Sequence, residues 1–179
     1  MKILTLLRHA KSTWDDPVAR DFDRPLNRRG RRAAQTVGRE MQAQRLRFDA
    51  VRASPAVRVI ETLDDIEAGY GRALAPDYDR RLYLASPEAL LEVVHETDDR
   101  VERLLIVGHN PGLERLALML AGAGPLRDEA TVKYPTATLA EIAFPVDRWQ
   151  DVAEGKGTLA RFIRPRDLDP ELGPDEDSY

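Results

Sequence analysis

Two histidines stand directly after apolar runs: His9 follows ILTLLR, and His109 follows LLIVG. Arg8 and Lys11 flank the first, and Arg58 lies in the opening turns of a helical pattern that begins near Ser54-Pro55. Ligands of open α/β sheets bind outside the carboxyl ends of the strands, so Arg8, His9 and His109 occupy positions where a site forms. Guanidinium forks, unpaired N–H groups at helix starts and the positive pole of the helix dipole all suit an oxyanion, and phosphate is the natural guest. The third histidine, His95, falls inside ALLEVVHETD and reads as part of an amphipathic helix. No HExxH or His-x-His spacing accompanies the histidines, so no metal is expected at the site.

The elements that must position these residues alternate along the chain. Ile3 to Leu7 and Leu104 to Val107 are apolar runs of the kind found in strands covered on both faces, and Phe48 to Ala53 reads as a third strand. Helices are expected from Asn27 to about Gln44, after Ser54-Pro55, from Pro87 to about Thr97, and from Asn110-Pro111 to about Ala121. Thr138 to Phe144 and Thr158 to Ile163 read as two further strands joined through Trp149 and the Gly155-Lys156-Gly157 turn. The pattern predicts a three-layer α/β/α sandwich with a mostly parallel central sheet and an antiparallel edge strand.

Composition narrows the classes of function. The 179 residues, 42% of them hydrophobic, suffice for one compact domain, placed at residues 1–165. Residues 166–179 are acidic and proline-containing, and the chain from Arg164 onward is expected to be a weakly docked or disordered tail. A net charge of -4 creates no global attraction to nucleic acid or to an anionic membrane. The basic stretch from Arg20 to Arg32 is interleaved with Asp21 and Asp23 and reads as a solvated helix face. The absence of cysteine excludes disulfides, thiol nucleophiles and thiolate metal sites. Ile3 to Leu7 is too short for a secretory core and no run approaches membrane-spanning length, so a cytoplasmic location is expected.

Five stretches carry a resemblance: RHAKS (Arg8 to Ser12), RPLNRRG (Arg24 to Gly30), SPAVRVIET (Ser54 to Thr62), VGHNPGL (Val107 to Leu113) and YPTATLA (Tyr134 to Ala140). In this order they resemble the histidine phosphatase superfamily, and more narrowly its small SixA-type phosphohistidine phosphatases. The resemblance implies that His9 is the nucleophile of a covalent phosphohistidine intermediate, while Arg8, Arg58 and His109 hold the transferring phosphoryl group. Ser12 and Asn110 would add hydrogen bonds to it. No cofactor is implied. The chemistry is coherent, because a neutral imidazole can attack phosphorus while arginines stabilise the equatorial oxygens.

Two departures bear on the substrate. Ala10 stands where glycine often follows Arg-His in the wider superfamily. More consequentially, the stretch RRLYLASPEAL offers only Glu88 where many members carry a glutamate general acid, and Glu88 reads as a helix-start residue. Asp15, Asp16, Asp21 and Asp23 are other possible donors in the loop after the first strand. An alkoxide leaves badly without a general acid, whereas a phosphorylated imidazole is itself protonatable near neutral pH. The chain also lacks a segment long enough to build a large lid between Gly69 and Ser86. These features favour phosphohistidine on a histidine-containing phosphotransfer domain, with inorganic phosphate as product. A small-metabolite phosphomonoesterase and a non-catalytic phospholigand-binding module are the alternatives.

Overall fold

A computed structural model describes residues 1–17 and 20–173. Its strands are β1 (Lys2–Arg8), β2 (Ala50–Ala53), β3 (Asp77–Tyr78), β4 (Arg103–Gly108), β5 (Leu139–Phe144) and β6 (Thr158–Ile163). They form one sheet in the order β3-β2-β4-β1-β5-β6. The first four are mutually parallel, and the β5–β6 pair supplies the antiparallel edge, β5 running against β1. The helices are α1 (Arg28–Ala43), α2 (Val57–Tyr70), α3 (Pro87–His95), α4 (Gly112–Leu120), α5 (Pro125–Val132) and α6 (Pro165–Leu168).

The strands explain the layering. Leu4 and Leu6 of β1 join Leu104 and Ile106 of β4 in a core completed by α3 and α4, whereas Leu7, Leu105 and Val107 join the core beneath α1 and α2. Side chains on adjacent strand positions point to opposite faces, so a continuous apolar run feeds both cores at once. Each fully buried leucine contributes roughly 1.5–3 kcal/mol. β1 and β4 pair from Ile3 opposite Arg103 to Arg8 opposite Gly108. That register delivers His9 and His109 side by side at the same end of the sheet.

Local starts differ in detail from the sequence expectation. Asn27 caps α1 as expected, its Oδ1 accepting from Gly30 N at 2.8 Å. Gly30 has a second role: a Cβ there would lie 2.1 Å from the carbonyl oxygen of Lys11, so α1 presses directly on the loop that follows β1. By contrast α2 begins at Val57 and α4 at Gly112, two residues beyond Pro55 and Asn110 respectively. Ser54 thereby turns to the site, while Asn110 serves both the start of α4 and the site. β3 and α5 were not expected, because β3 is two exposed residues and α5 buries only Ala130.

Residues 165–173, read from sequence as the start of the acidic tail, fold onto α1. Pro165 and Leu172 are buried, and Arg32 meets Asp169 and Glu171, each at 2.7 Å. Residues 174–179, the remainder of that tail, lie outside the described residues. Among the described residues no helix is long and apolar enough to cross a membrane.

Candidate active site

At the carboxyl ends of β1 and β4 a cleft of about 510 Å³ is lined by Arg8, His9, Ser12, Arg58, His109 and Asn110, among others. All six sequence-assigned residues therefore meet in one place. The backbone fixes His9 between strands: its N–H donates to Gly108 O at 3.1 Å and its carbonyl accepts from Ala137 N at 3.0 Å. The His9 and His109 ring centroids are 5.2 Å apart.

Hydrogen bonds set the tautomer of each ring. His9 Nδ1 lies 2.6 Å from the carbonyl oxygen of Ala10, which can only accept, so Nδ1 carries the proton and Nε2 keeps its lone pair. Burial first, then the neighbouring His109 ring and the charges of Arg58 and Arg8, holds the His9 pKa well below 6.5 against the opposing Ala10 bond. His109 Nδ1 lies 3.3 Å from Arg58 Nη2, a donor, and its Nε2 therefore donates to Ser54 Oγ at 2.8 Å. Burial first, and then the charge of Arg58, lowers the His109 pKa to about 3. Both imidazoles are neutral at pH 7, the state a nitrogen nucleophile requires.

Arg58 is only 2% exposed. Glu61, the partner that helical spacing offers it, instead accepts from Leu26 N at 2.8 Å. Arg58 Nη1 donates to the Asp21 carbonyl oxygen at 2.7 Å and Nη2 to Asp21 Oδ2 at 3.0 Å. Tyr83 donates its hydroxyl to the same Oδ2, and Arg24 Nε donates to Oδ1 at 3.1 Å. Burial raises the Asp21 pKa, but the Tyr83 hydrogen bond and the Arg58 and Arg24 charges outweigh it and hold the carboxyl below its usual range. Asp21 is thus an ionised acceptor. Of the other candidate acids, Asp15 lines the cleft, and Glu88 sits exposed in the first turn of α3.

Arg8 Nη1 and Asn110 Nδ2 share one acceptor, the Tyr134 carbonyl oxygen, at 3.0 and 3.1 Å. Asn110 Oδ1 accepts from Glu114 N at 3.2 Å, so the same amide caps α4 and braces Arg8. Ser12 pairs with Leu26 in a short antiparallel bridge that closes the loop beneath the cleft. Outside this constellation, His95 bonds the Val152 carbonyl oxygen at 2.7 Å through Nε2.

Several participants escaped the sequence reading. Ser54 was read as a helix cap, yet it is fully buried against His109. Thr62 Oγ1 accepts from Ala10 N at 2.9 Å and donates to Arg58 O at 2.6 Å, tying the His9 loop to the Arg58 helix. Arg24, within the supposed solvated stretch, is only 6% exposed and stacks on Trp14 with its guanidinium 3.3 Å from the ring centroid. Tyr83 sets its edge against His109, the centroids being 5.4 Å apart. Of these, Ser54, Thr62 and Arg24 lie inside the five family-like motifs, so motif membership was the available signal; Tyr83 lies outside those five, in the stretch RRLYLASPEAL. Among the described residues, no three His, Cys, Asp or Glu side chains cluster so as to hold a metal ion.

The chain is similar to known proteins in both sequence and fold. Residues 4–83 match the sequence model of the Histidine phosphatase superfamily (branch 1). An uncharacterized protein of Mycobacterium tuberculosis is 36% identical over 164 residues, covering 89% of this chain and all of the relative. A structure from Agrobacterium tumefaciens, assigned as a phosphohistidine phosphatase SixA, aligns with a TM-score of 0.75 and 28% identity over 92% of this chain and 98% of its own. One from Nakamurella multipartitia with the same assignment gives 0.78 and 27% over 92% and 96%.

Proposed function

The chain belongs to the histidine phosphatase superfamily and is a phosphatase of SixA-like fold, and we propose that its substrate is phosphohistidine, or another phosphoramidate, on a phosphotransfer protein of the cytoplasm. The observation that carries the reading is the pairing of a neutral His9, its Nε2 lone pair unprotonated, with the Arg8, Arg58 and His109 side chains around one cleft. In the proposed reaction Nε2 attacks phosphorus and the leaving group departs with the electron pair of its bond to phosphorus. Water then attacks phospho-His9, and inorganic phosphate is released as the imidazole recovers its lone pair. Arg8 and Arg58 hold the equatorial oxygens throughout, with Ser12 and Asn110 adding hydrogen bonds. No step calls on a metal, so turnover should persist in EDTA.

The substrate class follows from the leaving group. Asp21, the acid held closest to Arg58, is ionised and cannot donate a proton. Leaving groups that need no proton are favoured accordingly, and phosphohistidine is one. The SixA assignment of the two structural relatives supports the same choice. One observation favours a metabolite phosphomonoesterase instead: burial raises the pKa of Glu114, whose Oε2 lies 3.5 Å from Asn110 Nδ2. A substrate profile decides between them. kcat/KM for a phosphohistidine protein or phosphoramidate should exceed that for alkyl phosphates by about a hundredfold, with aryl phosphates between. Equal rates on alkyl phosphates, lost selectively in Glu114→Gln, would establish the phosphomonoesterase.

A further inference from the structure

We propose that the Asp21 carboxylate is a specificity-determining anion of the site: it accepts a hydrogen bond from a protonated nitrogen of the leaving group and so selects phosphoramidates over dianionic phosphate esters. The inference rests on the phosphohistidine reading above and names the group that enforces it.

Asp21 lines the same cleft as His9 and is about one-third exposed there. Its partners are unevenly divided. Among the described residues, Oδ2 accepts from both Arg58 Nη2 and the Tyr83 hydroxyl, whereas Oδ1 accepts from Arg24 Nε alone. A carboxylate offers about four lone-pair directions, so one on Oδ1 remains for a further donor. The groups bonded to it are two arginines and a phenol, all donors, with the neutral His109 beyond them, which is a setting for a permanent anion rather than for an acid that gives up its proton. A carboxylate beside a phosphoryl site repels a dianionic ester, but attracts a substrate whose nitrogen carries a proton.

The bond changes balance without a general acid. For phosphohistidine protonated on its second ring nitrogen, His9 Nε2 forms the new bond to phosphorus as the P–N bond breaks. The bonding pair returns to the ring nitrogen and leaves a neutral imidazole whose one proton was present from the start. Asp21 holds that N–H and favours the protonated form. An alkyl ester would expel an alkoxide that needs a proton, which Asp21 does not have.

The test compares wild type with Asp21→Asn on phosphoramidate and on an aryl phosphate. The ratio of the two kcat/KM values should fall at least about tenfold in the variant, the scale of one charge-assisted hydrogen bond. Inorganic phosphate should inhibit Asp21→Asn at least as tightly as wild type, because a negative charge has left the cleft. Tyr83→Phe, which removes a donor but keeps the charge, should preserve the ratio. In the wild-type enzyme the ratio should also fall as pH rises through the ionisation of the phosphoramidate nitrogen, a measurement that needs no variant. A wild-type preference that is insensitive to that ionisation, or that survives Asp21→Asn, overturns the role of Asp21 alone. Equal losses on both substrates with weakened phosphate inhibition reduce Asp21 to a holder of Arg58 and do the same. A wild-type enzyme with no preference for phosphoramidate overturns the phosphohistidine reading itself.

Discussion

The Nδ1 of His9 lies 2.6 Å from the carbonyl oxygen of the next residue, Ala10. That contact fixes where the ring carries its proton, and burial keeps the other nitrogen from acquiring one. Activity should therefore persist on the acid side of neutrality. With a substrate that does not itself titrate, kcat/KM should change by no more than about twofold between pH 7 and 5.5. A pH-rate profile with an acid limb centred near 6.5 would show an ordinary solvated imidazole.

The same burial has a cost in stability at low pH. The His109 pKa is about 3 in the folded protein against an ordinary 6.5, so the unfolded chain binds more protons than the folded one between these values. The sign follows: stability is full above 6.5 and is lost as pH falls toward 3. At pH 5 the loss from His109 amounts to about 2 kcal/mol. Urea unfolding at pH 7.5 and 5 measures it, and His109→Asn should show a smaller difference between the two.

Arg58 binds Asp21 through two nitrogens and faces His109 with one of them. Arg58→Ala should cost on the order of 3 kcal/mol in transition-state stabilisation, read from kcat/KM. Arg58→Lys should recover only part, because one ammonium does not reproduce a planar fork. An unchanged kcat/KM in Arg58→Ala would separate this arginine from the reaction.

Ser54 accepts from His109 Nε2 in a fully buried contact. Ser54→Ala leaves that N–H without its acceptor and should cost about 1–2 kcal/mol in stability. With the ring less constrained, kcat should fall about tenfold. A variant destabilised by this amount but with wild-type kcat would confine Ser54 to a structural role.

The parts of the site visible in the sequence were those tied to local pattern. His9 and His109 follow apolar runs whose burial on both faces announces parallel strands, and the parallel register then brings the two histidines together. Arg58 was placed by its position in an early helical turn. Asp21 and Tyr83 were less visible because what defines them is distance in sequence: Arg58 reaches 37 residues back to Asp21, and Tyr83 reaches 62. No periodicity encodes such pairs. Ser54 and Asn110 each fit a helix-start pattern, but the helices begin three and two residues later, at Val57 and Gly112, so their side chains serve the site as well as the backbone. α5 was silent because a helix with one buried residue has no apolar stripe.

On the proposed mechanism the phosphoryl group passes through His9. Rapid quenching of the enzyme with phosphorus-labelled substrate, followed by peptide mapping, should recover acid-labile, alkali-stable label on the peptide containing His9. His9→Ala should lose both label and turnover. Label on any other residue, or undiminished turnover by His9→Ala, would contradict the account.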